Sequence, residues 1–125
     1  MTRKMALVCL TLALVLGVSG AAWGQKATVL RVVVVKTDNM AAYVDAIGKG
    51  REIMKKLGSP AVTRVWQARF AGPEAGTVVV SIEYPSVAAF AEDYARIGGS
   101  AEYQEWLKGL SKIRTIVSDS LYNEW

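Results

Sequence analysis

The stretch that decides the fold is residues 27–36, with the sequence ATVLRVVVVK. Its run of β-branched side chains predicts a β-strand. A strand with one face in water alternates apolar and polar side chains, whereas this strand is apolar on both sides. One face carries Leu30, Val32 and Val34, and the other face carries Val29, Val33 and Val35. We therefore expect both faces of the strand to be covered.

A helix is predicted after this strand. Thr37, Asp38 and Asn39 offer side-chain oxygens for an N-cap. Apolar residues then recur at helical spacing, at Met40, Tyr43, Val44, Ile47, Met54 and Leu57. Gly58, followed closely by Pro60, predicts the end of the helix. The basic cluster within it, Lys49, Arg51, Lys55 and Lys56, is interpreted as a solvated helix face, and no motif indicates nucleic-acid binding.

The remaining segments predict a hairpin, a second helix and a last strand. Residues 61–70 and 77–84 are two strands joined by a polar turn. Ser86 is the expected N-cap of a helix that buries Phe90, Tyr94 and Ile97, while Glu92 and Asp93 face solvent. After Gly98 and Gly99, Ser100 caps a further turn or two of helix, with Tyr103, Trp106, Leu107 and Leu110 as its apolar positions. Residues 113–122 form the last strand.

This β-α-β-β-α-β order predicts an α+β fold. Right-handed crossovers make it a ferredoxin-like antiparallel sheet with both helices on one face. The other face keeps several valines, each of which contributes about 1.5–3 kcal/mol if it is buried. A second copy of the chain would cover them and form a homodimer on the face that we assign to Val33 and Val79. The alternative is a different protein partner on that face.

Three segments resemble a known group of proteins. They are residues 72–80 (GPEAGTVVV), residues 83–90 (EYPSVAAF) and residues 100–107 (SAEYQEWL). Together with the element order over residues 27–122, they resemble the dimeric α/β-barrel superfamily, which includes antibiotic-biosynthesis-monooxygenase-like and NIPSNAP-like domains. The resemblance implies a dimeric α/β barrel. It is compatible with cofactor-independent oxygenases, haem-handling proteins, dismutating enzymes and proteins without a known role.

The N-terminus has the pattern of an export signal. Arg3 and Lys4 precede an uncharged, mostly apolar run at residues 5–18, which is shorter than the about 20 residues that a membrane span needs. Ala22-Trp23-Gly24 has the small-x-small form of a cleavage site. We predict a signal peptide at residues 1–24 and a single exported domain at residues 25–125, periplasmic or secreted, without a stable membrane span after cleavage.

The composition excludes several kinds of site. The chain contains no histidine, and its single cysteine, Cys9, lies in the predicted signal peptide. Histidine-ligated haem, His/Cys zinc sites and Ser-His-Asp triads are therefore excluded. Members of the superfamily that use histidine in the active site have no counterpart here. We expect no metal and no cofactor.

The candidate ligand-binding residues lie in the predicted sheet. If Phe70 pairs with Thr77, then Trp66 faces Ser81 and Arg64 faces Glu83. The alternation of side chains along the first strand places Arg31 on the same surface. An Arg–Glu pair beside a tryptophan could hold a planar anionic or aromatic ligand; the alternative is a structural cross-strand ion pair. A register shifted by one residue would instead place Gln67 and Arg69 there and bury Trp66.

Three functions remain open on the sequence. The first is a small exported dimeric protein that binds a small apolar or aromatic molecule without catalysis. The second is a cofactor-independent monooxygenase or isomerase acting on an aromatic or quinone-like compound, whose substrate would supply the electrons. The third is a protein-binding module that uses the open face of the sheet. The sequence does not decide whether the protein is an enzyme.

Overall fold

The structure of the protein is a computed structural model that describes residues 28–125. The predicted signal peptide and its cleavage site lie outside the described residues, as does Ala27. The elements, in chain order, are β1 (Val29–Lys36), α1 (Met40–Lys56), β2 (Val62–Gln67), β3 (Val78–Tyr84), α2 (Val87–Gly98), α3 (Ala101–Ser111) and β4 (Thr115–Asn123). A short 3-10 turn, Gly72–Glu74, lies between β2 and β3.

The four strands form one antiparallel sheet in the order β2-β3-β1-β4. Helices cover one face of this sheet, and the core between them joins residues from β1, β3, α1 and α3: Val33, Val35, Tyr43, Ile47, Val78, Val80 and Leu110. The predicted ferredoxin-like βαββαβ fold is confirmed. The segment after Gly99 is a longer helix than expected, because α3 has 11 residues rather than one or two turns.

The ends of α1 follow from its capping residues. The Asn39 side chain accepts a hydrogen bond from the backbone N–H of Ala42 at 3.0 Å, and Gly58 adopts a left-handed conformation with φ of +75°, which only glycine adopts readily. The predicted buried side needs two corrections. Val44 is exposed, whereas Ile53 is buried against the core side of the helix.

The hairpin closes earlier than predicted. The backbone of Ala68 pairs with Thr77, and Phe70 is fully exposed in the loop beyond it. The predicted Phe70–Thr77 pair is therefore wrong by two residues, because β2 ends at Gln67 and the connecting loop is longer. A shift of two residues keeps every side chain on its original face. Trp66 now lies opposite Val79 rather than Ser81.

The register between β1 and β3 corrects the predicted dimer face. Val33 lies opposite Val80, and Val34 lies opposite Val79. Residues paired across two strands share a face of the sheet, so Val33 faces the helices and Val79 does not. We call the side without helices the open face, and its described apolar side chains in the three strands β1–β3 are Leu30, Val32, Val34, Val62, Trp66 and Val79.

Candidate functional site

Four of the five predicted ligand-binding residues meet on the open face. The Arg64 guanidinium lies 3.3 Å from the Glu83 carboxylate, and the Trp66 indole N–H donates a hydrogen bond of 2.8 Å to the Ser81 hydroxyl. Trp66 remains 54% exposed. The side chains of Arg64 and Glu83 are 51% and 44% exposed, so the group lies on a solvated part of the sheet surface.

The alternative register does not occur. Gln67 lies opposite Val78, a core residue that faces the helices, and Arg69 lies in the loop after β2. These two residues therefore do not replace Arg64 and Trp66 on the open face.

Arg31 lies on the opposite side of the sheet from the other four candidates. It pairs with Ile82 of β3, and residues next to each other in a strand point to opposite faces, so Arg31 is separated from Ser81 and Glu83. The prediction that it shares their surface is wrong. Its guanidinium makes two hydrogen bonds to the Asp119 carboxylate, at 2.9 and 2.7 Å. These bonds hold the pKa of Asp119 below its usual value.

Arg31 belongs to a cleft between the sheet and the helices, which we call the helix-side cleft. It has a volume of about 70 Å³ and lies between β1, β3, α1 and α3. Its walls are mainly apolar and include Val33, Ile47, Val80, Leu110 and Trp106. Arg31, Tyr103, Arg114 and Asp119 supply polar groups to the lining, and the charges of Arg31 and Arg114 act on both Tyr103 and Asp119. We call these four residues the polar end of the cleft. The residues therefore form an amphipathic recess.

Trp106 is a fixed part of the cleft wall. Its indole N–H donates a hydrogen bond of 2.8 Å to the carbonyl of Ala46 in α1. The ring packs directly on Gly50, where a Cβ atom would overlap the indole. The absence of a side chain at position 50 thus lets α1 and α3 approach each other.

Arg114 lies in the turn before β4 and was not singled out by the sequence, because a residue in a turn has no periodic pattern. Its Nε atom is buried and has no hydrogen-bond partner. One terminal nitrogen lies 3.5 Å from the Tyr43 hydroxyl. Arg114 forms no ion pair with any residue that the structure describes.

Tyr103 shares the polar end of the cleft with these arginines. Burial raises the pKa of its phenol, while the charges of Arg31 and Arg114 oppose that rise. The phenol therefore stays protonated at neutral pH and can donate a hydrogen bond.

A second polar cluster lies under α2. Asp93 is fully buried, and its carboxylate accepts hydrogen bonds from the Tyr84 hydroxyl at 2.8 Å and the Ser59 hydroxyl at 2.7 Å. Burial and this bond to Asp93 raise the pKa of Tyr84. The prediction that Asp93 faces solvent is wrong, and so is the prediction that Tyr94 is buried, because its side chain is 59% exposed. The spacing of Asp93 from Phe90 and Ile97, three and four residues, places Asp93 on the buried stripe of the helix.

The described part of the chain offers no cluster of three or more His, Cys, Asp or Glu side chains suited to a metal ion. Among its helices, none has both the length and the hydropathy needed to cross a membrane.

No family model matches the sequence, and no curated protein is detectably similar to it. Solved structures, in contrast, share its fold. The cofactor-independent oxygenase SnoaB from Streptomyces nogalater is 11% identical, with a TM-score of 0.59, and the match covers 79% of this chain and 94% of SnoaB.

Two further structures give the same result. A NIPSNAP family protein of unknown function from Agrobacterium tumefaciens is 14% identical, with a TM-score of 0.60 over 81% of this chain and 90% of that protein. A dimeric ferredoxin-like protein from an uncultured marine organism is 16% identical, with a TM-score of 0.58 over 79% of this chain and 96% of that protein. The described chain thus has the ferredoxin-like fold of these proteins, which confirms the predicted resemblance to the dimeric α/β-barrel superfamily at the level of the fold.

Proposed function

We propose that this protein is an exported, homodimeric α/β-barrel protein that binds a small organic molecule in the helix-side cleft without transforming it. The observation that carries the proposal is the cleft itself. Its apolar walls enclose a recess of about 70 Å³, and the four polar residues of its lining lie close enough to interact with one another. Apolar walls with a few convergent polar groups are typical of small-molecule sites.

The chemistry of the lining favours binding over catalysis. Among the described residues, the only carboxylate that lines the cleft is Asp119. Its two hydrogen bonds to Arg31 lower its pKa, and a carboxylate with a lowered pKa is a weak general base at neutral pH. Tyr103 keeps its proton because burial raises its pKa. These groups are suited to orienting a ligand rather than to removing a proton from it.

A cofactor-independent oxygenase is the second candidate. It is supported by the shared fold with SnoaB, which is such an enzyme, and by the two arginines at the polar end of the cleft. Those charges would stabilise an anionic aromatic substrate, which would itself supply the electrons to oxygen. Because the lining has no strong base, the substrate would have to enter the cleft already ionised.

The homodimer is proposed on the open face. Trp66 and Val62 are exposed there, and Val79 is half-buried beside them. A second copy of the chain would remove these side chains from water. The shared fold with a dimeric ferredoxin-like protein supports this arrangement. In such a dimer the helix-side cleft stays on the outside of each sheet and remains open to ligands.

Thermal stability in the presence of candidate ligands tests the proposal. We expect a panel of small aromatic acids, phenols and amides to contain compounds that raise the melting temperature as their concentration rises. A ligand at 100 times its dissociation constant stabilises the folded state by about 2.7 kcal/mol. Oxygen consumption with each stabilising compound separates the two candidates, because a binding protein consumes none and an oxygenase does.

Two tryptophans on opposite sides of the sheet provide the matched control. Trp106 lines the cleft, whereas Trp66 lies on the open face. A stabilising compound should quench tryptophan fluorescence in the wild type and in Trp66→Phe, and the quenching should be lost in Trp106→Phe. The opposite result would place the ligand on the open face and would contradict the proposal.

A further inference from the structure

We infer that the ligand of the helix-side cleft is a small organic anion, a carboxylate or an enolate on a planar body, and that Arg114 binds its charged oxygens. The inference rests on the proposed function and names the class of molecule that the same cleft takes. It is carried by the charge balance of the cleft, by the hydrogen bonding of Arg114 and by the size of the recess.

The charge balance favours an anion. Arg31, Arg51 and Arg114 line the cleft with a single carboxylate, that of Asp119. Arg31 is already neutralised by that carboxylate through two hydrogen bonds, and Arg51 is exposed to solvent at the edge. Arg114 is partly buried and forms no ion pair within the described residues. A guanidinium keeps its charge at any ordinary pH, so the polar end of the cleft carries an uncompensated positive charge.

The hydrogen bonding of Arg114 gives the same indication independently. Its Nε atom is buried without a partner, and a buried donor left unpaired costs about 1–3 kcal/mol. Arg31 shows in this same cleft what such a guanidinium binds, because its Nε and one terminal nitrogen hold the two oxygens of Asp119. Because Nε itself is buried, a ligand carboxylate would bind Arg114 at its terminal nitrogens, which can also hold two oxygens.

The size of the cleft limits how much of the ligand is enclosed. Its volume of about 70 Å³ is roughly half of the about 150 Å³ that accepts a whole benzene ring in an engineered cavity. The anionic head therefore fits inside, and the planar body extends past Tyr103 and Trp106 toward the edge of the cleft. Their rings offer flat apolar surfaces for it.

The test compares benzoate with benzamide, which has nearly the same shape and no charge. Dissociation constants are measured by calorimetry for the wild type, for Arg114→Met and for Arg64→Met. The third protein is the matched control, because it loses the same charge from the open face. We expect the wild type and Arg64→Met to bind benzoate at least about tenfold more tightly than benzamide, and Arg114→Met to lose this preference.

Stability without ligand separates a binding role of Arg114 from a structural one. Removing an uncompensated charge should leave the melting temperature of Arg114→Met unchanged or raise it. Arg114→Lys keeps the charge but lacks the planar fork of donors, so it should retain part of the benzoate preference. A large loss of stability in Arg114→Met without ligand would assign the residue to the fold and overturn the inference.

The outcomes distinguish the inference from the proposed function. If benzoate and benzamide bind equally well and both quench Trp106, the cleft binds small molecules but the anion inference is wrong. If benzoate binds to Arg114→Met as tightly as to the wild type, the inference is also wrong. If the preference for benzoate disappears in Arg64→Met instead, the ligand lies on the open face, and both the inference and the proposed cleft are wrong.

Discussion

The Asp93 carboxylate joins three parts of the chain through its hydrogen bonds. It lies in α2, and it accepts hydrogen bonds from Tyr84 at the end of β3 and from Ser59 in the loop after α1. Tyr84 is itself only 3% exposed, so its hydroxyl has no access to bulk water if the carboxylate is removed. The buried network therefore holds α2 against the sheet.

Asp93→Ala should lower the free energy of unfolding by about 1–3 kcal/mol for each buried donor that it leaves unpaired. Asp93→Asn should cost less, because the amide oxygen still accepts hydrogen bonds. Glu92→Ala is the matched control on the neighbouring, exposed position, and it should change stability by no more than about 0.5 kcal/mol. Urea denaturation measures all three, and equal costs at positions 92 and 93 would contradict the network.

Tyr84 should make the free energy of unfolding depend on pH in the alkaline range. Burial and the bond to Asp93 raise the pKa of its phenol above the ordinary value of 10.0, so the folded protein holds this proton more tightly than the unfolded chain. The free energy of unfolding should therefore decrease as the pH rises above about 10. Tyr84→Phe should reduce that slope without abolishing it, because burial also raises the pKa of Tyr103. An unchanged slope in the variant would refute the assignment.

The place of an individual site residue was harder to predict from the sequence than the set of side chains that share a face of one hairpin. Side chains alternate between the two faces along the β2–β3 hairpin, and this alternation predicted that four residues share a face: Arg64, Trp66, Ser81 and Glu83. A shift of two residues in the pairing leaves every side chain on the same face, so the four residues still share it. Alternation along one strand does not show which face a residue of another strand occupies until the pairing of the two strands is known. Arg31 was assigned to the wrong side for this reason. Arg114 lies in a turn, where no pattern indicates burial or proximity to the cleft.

Two glycines of α1 have opposite roles. A Cβ atom at Gly50 would overlap the Trp106 indole, whereas a Cβ atom at Gly48 would meet nothing within 4 Å. Gly48→Ala should therefore raise the free energy of unfolding by up to about 1 kcal/mol, through helix propensity. Gly50→Ala should lower it by about 1–3 kcal/mol, because α1 and α3 must separate.

Both variants are measured by urea denaturation together with tryptophan fluorescence. The emission of Trp106 should shift in Gly50→Ala and stay unchanged in Gly48→Ala, because the two positions differ in their contact with the ring. Equal stability of the two variants would mean that α1 and α3 do not depend on this close contact.

Element boundaries with clear capping residues were predictable. Ser86 and Ser100 each cap the helix that they were expected to begin, and Asn39 is the N-cap among the three candidates at residues 37–39. An N-cap oxygen satisfies a backbone N–H that the helix leaves free. The hairpin register was not predictable to the residue. The loop between Gln67 and Val78 is long and includes a 3-10 turn, and a long loop does not fix the pairing of its strands as a short hairpin turn does.

The whole fold was predictable because the helices must cover one apolar face of β1, while its other apolar face stays open. The element order and the right-handed crossovers left one arrangement with both helices on the same side. The existence of an apolar open face followed from the same reasoning. The residues that lie on it became known only from the observed register, in which Val79 lies opposite Val34. Oligomeric state therefore remains a prediction.

Sedimentation of the purified protein at micromolar concentration should give twice the chain mass. Val79→Lys places a charge in the proposed interface and should give a folded monomer, since an unpaired charge is costly to bury. Val87→Lys is the control, because this valine is 52% exposed at the start of α2 on the helix side. A wild-type monomer would contradict the homodimer and leave the open face to a different protein partner.

The most direct test of the account is an NMR titration of valine methyl groups with benzoate. Val80 lines the helix-side cleft, and its neighbour Val79 lies on the opposite side of the same strand. The account predicts saturable shifts of the Val80 and Val33 methyl signals, with those of Val79 and Val32 unchanged. Shifts confined to Val79 and Val32, or no saturable shift in either pair, would contradict a ligand site between the sheet and the helices.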